Sequence, residues 1–186
     1  MTVLFSDIEG FTAMAERLPP DAVVAMLNEY FAAMACVVES REGRIDKYIG
    51  DAMLVVWEQG ASDAAALAVQ AALEMQRELL VLQNKWLADG KLPLKARIGI
   101  SSGKVIEGLI GGPSRQERTV IGDAVNTASH LEALNKVYHT DIIVSKSTLD
   151  LVAEMALVKS LGIVTIKGRW EPVPIFALTG WKSCGH

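Results

Sequence analysis

The sequence is poor in the residue types that mark several large classes of protein. Only two of its 186 residues are cysteines, Cys36 and Cys184, which argues against a disulfide framework or a zinc cluster and fits a reducing, cytoplasmic setting. Cys36 lies among apolar helical positions and is predicted to be buried. Aromatic residues make up 6 % of the chain and its net charge is −4, so we expect no nucleic-acid partner, because such surfaces are usually basic. No uninterrupted apolar run approaches the roughly 18–20 residues of a membrane-spanning helix.

The length and the apolar content fit one domain, residues 1–186, with one hydrophobic core. Apolar residues make up 51 % of the chain and the mean hydropathy is +0.27. Residue 1 leads directly into the strand-like "TVLF", so we expect no signal peptide. Because a chain seldom begins on its first core strand, we expect a domain cut from a longer protein, with a regulatory or membrane part upstream.

Hydrophobic periodicity predicts an α+β fold with a ferredoxin-like βαββαβ core, in which an antiparallel-rich sheet carries helices on one face. The predicted helices cover 10–17, the stretch from a cap at Asp21 to Gly43, 63–88, 123–136 and 146–153. The predicted strands are 1–6, a hairpin at 44–57, two strands within 94–112, 119–122, 141–145 and a pair within 157–180. Residues 113–118, "PSRQER", are predicted to form a polar loop.

Two aspartates occupy positions where a cation is expected. Asp7 ends the first strand and Asp51 lies in a Gly-Asp hairpin turn. The strand end and the hairpin turn can meet at one edge of the sheet. Two carboxylates there would repel unless a cation joined them, and Mg²⁺ is the usual ion where phosphates supply further oxygens. A metal pair about 3.5–4 Å apart would polarise an attacking hydroxyl and a leaving phosphate together. The amides of Gly10, Phe11 and Thr12 open a helix and would bind an anion beside it. The alternative interpretation makes the two aspartates a turn former and a helix cap.

Four segments, taken together, resemble the catalytic domain of the class III nucleotidyl cyclases, the adenylyl and guanylyl cyclase family. They are "TVLFSDIEGFT" (2–12), "KYIGDAMLVVW" (47–57), "ARIGISSGKVIEGLIG" (96–111) and "TVIGDAVNTASHLEAL" (119–134), in this order. The resemblance covers about residues 2–178. It implies an adenylyl-cyclase-type reaction, in which ATP becomes 3′,5′-cyclic AMP and pyrophosphate.

The resemblance also implies which residues hold the metals and the triphosphate. Asp7 and Asp51 match the two metal-binding aspartates, and the carbonyl of Ile8 matches a further ligand. Two ions per site, Mg²⁺ or Mn²⁺, are expected. Arg97 and Lys167 match basic residues that hold the triphosphate.

Lys47 and Thr119 match the family's pair of purine-selecting positions. Adenine offers an acceptor at N1 and a donor at N6, and guanine reverses both. Lysine only donates and a threonine hydroxyl can accept, so the pair complements adenine. Guanine-selecting members carry a glutamate at the first position. The alternative interpretation makes both ordinary strand residues.

Asn126 matches the residue that orients the ribose and the transferring phosphate, and His130 lies one helical turn later on the same face. The family usually has an arginine at that position, which stabilises charge on the phosphate. Histidine is shorter and is charged over only part of the physiological pH range, so a slow enzyme is expected.

In this family the active sites lie between two catalytic domains placed head to tail, so a homodimer with two equivalent sites is expected. Three other functions stay open on the sequence. One is a guanylyl cyclase, which Lys47 disfavours, and one is a degenerate domain that binds nucleotide or a partner, which His130 allows. The last is an RNA-binding ferredoxin-like module, which the scarcity of aromatic and basic residues disfavours.

Overall fold

The computed structural model describes residues 1–166 and 171–182. Within them the strands are β1 Thr2–Ile8, β2 Arg44–Ile49, β3 Ala52–Trp57, β4 Ala96–Ser102, β5 Ile106–Gly112, β6 Arg115–Ile121, β7 Ile142–Ser145, β8 Ala156–Val164 and β9 Val173–Trp181. The helices are α1 Phe11–Ala15, α2 Pro20–Ser40, α3 Ala61–Ala88, α4 Asp123–Tyr138 and α5 Lys146–Val152. The terminal strand pair and the bend between β4 and β5 lie where the sequence predicts them.

Seven of the strands form one sheet in the order β2-β3-β1-β4-β7-β9-β8. All neighbours are antiparallel except β4 and β7. The segment from β1 through α2, β2, β3 and α3 to β4 is the predicted βαββαβ unit. The predicted α+β fold class is confirmed.

Helices cover both faces of the sheet, and here the predicted one-sided arrangement is wrong. Leu4 and Ile8 of β1 pack into the large core with buried residues of α2 and α3. Val3, which points to the opposite face by the alternation of a strand, packs instead with Ala124 and Ala128 of α4. The α4 helix therefore lies across the sheet from the other two.

A glycine on β4 lets α4 approach the sheet closely. A Cβ atom at Gly99 would lie 2.1 Å from the carbonyl oxygen of Ala128 and 2.3 Å from the amide nitrogen of Glu132. The buried side chain of Asn135 donates from Nδ2 to the Ile98 carbonyl at 2.9 Å and fixes the same helix to the same strand. Any larger residue at position 99 would push α4, with the site residues that it carries, away from the sheet.

The strands β5 and β6 form a separate two-stranded sheet. Gly112 pairs with Arg115, so the turn is only Pro113 and Ser114, and most of the predicted polar loop is strand. The prediction failed because this hairpin is exposed on both faces, so its sequence lacks the alternation of a half-buried strand. Its exposed large apolar side chains are Ile106, Leu109, Ile110 and Ile121.

Two smaller predictions about α2, its N-terminal cap and the burial of Cys36, are wrong. Pro19 is its N-cap residue and Asp21 lies in its first turn without capping it, because Pro20 already supplies a preorganised first position. Cys36 is exposed rather than buried. Among the residues that the structure describes, α2 is the one helix that is long and apolar enough to cross a membrane. The core helices of soluble proteins meet the same criterion. It buries five side chains: Met26, Tyr30, Met34, Val37 and Val38.

Candidate active site

Antiparallel pairing of β1 with β4 places Asp7 directly opposite Arg97. The Nη2 atom of Arg97 lies 3.7 Å from Oδ1 of Asp7. On its other side, Nε of Arg97 lies 3.1 Å from Oε1 of Glu132, which the close approach of α4 brings over the strand. Neither of these last two atoms has a hydrogen-bond partner among the described residues, although both are buried. The guanidinium is thus enclosed by carboxylates while part of its donor capacity stays unused.

Negative charge is in excess around this arginine. Burial, followed by the charge of Asp51, raises the pKa of Asp7 against the opposing effect of Arg97. Burial, followed by the charge of Asp7, raises the pKa of Glu132 to about 7. Asp51 lies in the two-residue turn between β2 and β3, where Gly50 has a φ of +63°, as the sequence predicts. One guanidinium does not balance three carboxylates, and this imbalance favours a bound cation.

The donors at this edge fit a divalent cation that shares its coordination with a substrate. Asp7 and Asp51 with the Ile8 carbonyl would form an all-oxygen set, of the kind that Mg²⁺ takes beside phosphates. Within residues 1–166 and 171–182 no group of three or more His, Cys, Asp or Glu side chains is arranged to hold a metal. An ion would therefore complete its coordination with water and phosphate oxygens.

The start of α1 lies beside the aspartates. Gly10 takes a left-handed φ of +67° and precedes Phe11, the first residue of the helix. The amide of Glu9 donates to the carbonyl of Lys95 at 2.8 Å, which fixes this segment to the residue that precedes β4. The amides of Gly10, Phe11 and Thr12 open the helix as predicted.

A β-bulge at Asp46 decides which face of the sheet Lys47 occupies. Ile45 pairs with Val55 and Lys47 with Leu54, so Asp46 is an extra residue without a partner in the ladder. Val55 belongs to the α2–α3 side, and Leu54 packs with Val120 of β6 on the other side. Without the bulge Lys47 would share the face of Ile45; with it, Lys47 faces the β5–β6 hairpin.

Lys47 and Thr119 meet at one oxygen atom. Thr119 donates its hydroxyl to Oδ2 of Asp46 at 3.2 Å, and Nζ of Lys47 lies 3.9 Å from that oxygen. Lys47 also donates to Oε1 of Glu117 on β6 at 2.5 Å. The two predicted base-selecting residues, far apart in the sequence, are therefore neighbours.

Ion pairs hold the hairpin over β2 and so fix the position of Thr119. Arg44 lies 2.5 Å from Glu58 and 2.9 Å from Glu107, atom to atom, and Arg118 lies 3.0 Å from Glu107. Each exposed pair is worth little alone, about 0–1 kcal/mol, but shared partners make a network that resists sliding of the hairpin.

Asn126 and His130 lie on α4, one turn apart. Asn126 is exposed and His130 is half-buried. Neither side chain forms a hydrogen bond to the part of the chain that the structure describes, so both are free to meet a substrate. Lys167, the second predicted triphosphate ligand, lies outside the described residues.

Sequence reasoning missed three carboxylates of this region: Asp46, Glu117 and Glu132. For two of them the sequence contains a pattern that could have indicated their importance. Aspartate is rare in strands, and Asp46 lies in the middle of a sequence that otherwise reads as a strand. Glu132 follows Ala128 by four residues and precedes Asn135 by three, which is the spacing of a buried helix face. Glu117 lies in the exposed hairpin, and nothing in the sequence singled it out.

Comparisons with known proteins agree with this geometry. Residues 1–180 match the family described as the adenylate and guanylate cyclase catalytic domain. An adenylate cyclase of Anabaena cylindrica is 37 % identical over an alignment of 186 positions, which covers 95 % of this chain and 36 % of the relative. The chain thus spans about a third of that relative's length.

Two solved structures show the same fold. The adenylyl cyclase CyaB from P. aeruginosa is 34 % identical with a TM-score of 0.88, covering 96 % of this chain and 93 % of its own. The guanylyl cyclase Cya2 is 35 % identical with a TM-score of 0.89, covering 98 % and 93 %. Because one of these structures is an adenylyl cyclase and the other a guanylyl cyclase, the similarity does not distinguish between the two activities. The chain belongs to the class III nucleotidyl cyclases, and what the structure describes is a cyclase catalytic domain.

Proposed function

We propose that this domain is an adenylyl cyclase that converts ATP to 3′,5′-cyclic AMP and pyrophosphate. The ribose 3′ oxygen attacks the α-phosphorus, a new phosphorus–oxygen bond forms, and the bond from the α-phosphorus to the bridging oxygen breaks. The hydroxyl proton leaves to solvent and pyrophosphate departs. The observation that carries the choice of ATP is the meeting of Lys47 and Thr119 at one carboxylate oxygen.

Base selection follows from the donors and acceptors of these two side chains. Lys47 donates to N1 of adenine, and Thr119 accepts from the N6 amino group. With guanine, the protonated N1 would face the Lys47 ammonium. A buried donor left without an acceptor costs about 1–3 kcal/mol, which corresponds to a preference of roughly tenfold to a hundredfold.

The rest of the site would position the triphosphate. Arg97 lies 3.7 Å from Asp7, and residues 10–12 begin α1 directly after β1, so these groups lie at the edge of the sheet that carries the aspartates. Two divalent cations held by Asp7, Asp51 and the Ile8 carbonyl would supply charge neutralisation and acidify the 3′ hydroxyl. Positioning and electrostatics then account for most of the catalysis.

Asn126 and His130 would act on the reacting groups. By their matched positions, Asn126 orients the ribose and His130 meets the transferring phosphate, while Lys167 assists at the triphosphate. These roles need no covalent chemistry from the protein, only hydrogen bonds aimed at charge that develops in the transition state.

We propose a head-to-tail homodimer as the active form. Among the strands that the structure describes, the β5–β6 hairpin pairs with no third strand, and it exposes Ile106, Leu109, Ile110 and Ile121. Beyond its contacts with β2 and β3, the hairpin leaves these apolar side chains exposed, which favours a partner surface that covers them. The aspartates of one chain would then face Lys47 and Thr119 of the other, and sedimentation analysis of the purified domain tests the assembly.

A second candidate rests on His130, which stands where the family usually has arginine. The domain would then bind nucleotide and signal with little turnover. Incubation of the purified chain with ATP or GTP plus Mn²⁺, followed by chromatography, decides. Cyclic AMP in excess supports the proposal, and cyclic GMP in excess assigns a guanylyl cyclase. Nucleotide binding without product favours the second candidate.

A further inference from the structure

Asp46 is a buried charge placed between β2 and the hairpin. Its side chain is only 1 % exposed, although it lies on a strand near the sheet edge. The bulge frees it from the β2–β3 ladder and turns it toward β6. A carboxylate so enclosed is costly unless its oxygens are paired, so its partners matter.

The partners of Asp46 set the direction of one hydroxyl group. Oδ1 lies 3.5 Å from Nη1 of Arg44, and Oδ2 accepts from the hydroxyl of Thr119 at 3.2 Å. In this hydrogen bond the Thr119 hydroxyl is the donor and the Asp46 carboxylate oxygen is the acceptor. The Thr119 proton is used toward Asp46, and the threonine oxygen offers only lone pairs elsewhere.

We propose that Asp46 is a specificity-positioning residue: it holds Thr119 as an acceptor and so makes the site read the amino group of adenine rather than the carbonyl oxygen of guanine. The inference rests on the proposed function and deepens it. A threonine alone has no fixed preference, because its hydroxyl can donate to O6 of guanine as readily as it accepts from N6 of adenine. Asp46 need not touch the base to remove that ambiguity.

The substitution Asp46→Asn tests this with little change of shape. An amide can present its NH₂ group to Thr119, and the hydroxyl is then free to donate to O6 of guanine. We expect the ATP:GTP ratio of kcat/KM to fall by about tenfold, the size of one hydrogen bond to a buried partner. The matched control is Glu58→Gln, which removes a charge from the same Arg44 network without contacting Thr119.

Two further comparisons separate positioning from a general structural effect. In a Thr119→Val background Asp46→Asn should leave the ATP:GTP ratio unchanged, because the hydroxyl through which it acts is absent. With purine riboside triphosphate, which has no group at C6, Asp46→Asn should change kcat/KM far less than it does with ATP. Competition of ATP and of GTP with a fluorescent nucleotide gives the ratio of their binding constants, which does not depend on turnover.

The outcomes are distinct. An unchanged ATP:GTP ratio in Asp46→Asn, or an equal fall in the Thr119→Val background, overturns the role of Asp46. If the variant does not fold, Asp46→Ser, which is smaller and carries no carboxylate, must lower the ATP:GTP ratio of binding constants more than Asp46→Glu, which keeps the carboxylate, or the inference fails. A wild-type chain that forms no cyclic AMP overturns the proposed function instead, and the binding ratio still reports on Asp46.

Discussion

The ammonium of Lys47 lies 2.5 Å from the carboxylate of Glu117, which is on the neighbouring hairpin. The hydrogen bond from Lys47 lowers the pKa of Glu117, so this carboxylate stays ionised at neutral pH. A purine base that accepts a hydrogen bond from Lys47 must therefore compete with Glu117 for the ammonium group. Glu117 is more than half exposed, so this exchange is inexpensive.

Reversal of base preference should depend on Glu117. Lys47→Glu with Thr119→Cys places an acceptor for the protonated N1 of guanine at position 47 and a weaker hydrogen-bonding group at position 119, and should move the preference from ATP toward GTP. The new glutamate would lie beside Glu117 and Asp46, so like-charge repulsion should make the shift partial. Adding Glu117→Gln should raise GTP turnover by several-fold relative to the double variant, as kcat/KM for both nucleotides will show. An ATP:GTP ratio equal to that of the wild type would mean that these positions do not read the base.

Removal of either predicted metal ligand should abolish turnover and leave the fold intact. Asp7→Ala and Asp51→Ala each delete a half-buried carboxylate rather than a core side chain. We expect a loss of activity beyond about a hundredfold, with the dimer retained, together with loss of the rise in melting temperature that Mn²⁺ gives the wild type. Asp89→Ala, at the exposed end of α3, is the control. Near-full activity in either site variant would remove the metal hypothesis.

Two inactive chains should restore activity in a mixture. Asp51→Ala and Asn126→Ala place their lesions on opposite sides of the proposed interface. A heterodimer of the two therefore holds one site with both lesions and one site with neither. Assay after subunit exchange, followed by energy transfer between labelled chains, should show part of the wild-type rate. Exchange without recovery would argue against sites shared between chains.

His130→Arg should accelerate the enzyme. Arginine is charged at all relevant pH values and offers a fork of donors, whereas histidine is shorter. We expect kcat to rise by roughly tenfold or more, about 1.4 kcal/mol of transition-state stabilisation, with little change in KM. Steady-state kinetics with ATP and Mn²⁺ measure both constants. Equal kcat values for the wild type and the variant would show that position 130 carries no charge role.

Glu132 should make stability depend on pH. Its pKa is raised to about 7 in the fold, chiefly by burial, and is near its ordinary 4.5 in the unfolded chain. Between these values the folded chain binds the extra proton, so the unfolding free energy falls as pH rises from about 4.5 to about 7. Glu132→Gln should remove this fall, so that urea denaturation in EDTA shows a gain over wild type at pH 8 and little at pH 5. Glu154→Gln, which is exposed, is the control, and parallel profiles for wild type and Glu132→Gln would contradict the assignment.

The sequence by itself determined the parts of this protein that depend on neighbours in the chain. The order of strands and helices follows from periodicity, the Gly50–Asp51 turn from its residue types, and the family from four ordered segments. Local spacing and backbone preference are sufficient for such features. It did not predict the first half of β6, residues 115–118, which are exposed and carry no alternation, and it placed the helix that became α4 on the wrong face of the sheet.

Only the tertiary structure decided which charges meet. The register of β1 against β4 brings Asp7 to Arg97, and the missing side chain at Gly99 lets α4 place Glu132 over them. One inserted residue, Asp46, changes the face that Lys47 occupies and brings it to Thr119. The physical reason is that pairing between distant segments sets these contacts, and a shift of one residue reverses the face of every side chain that follows it.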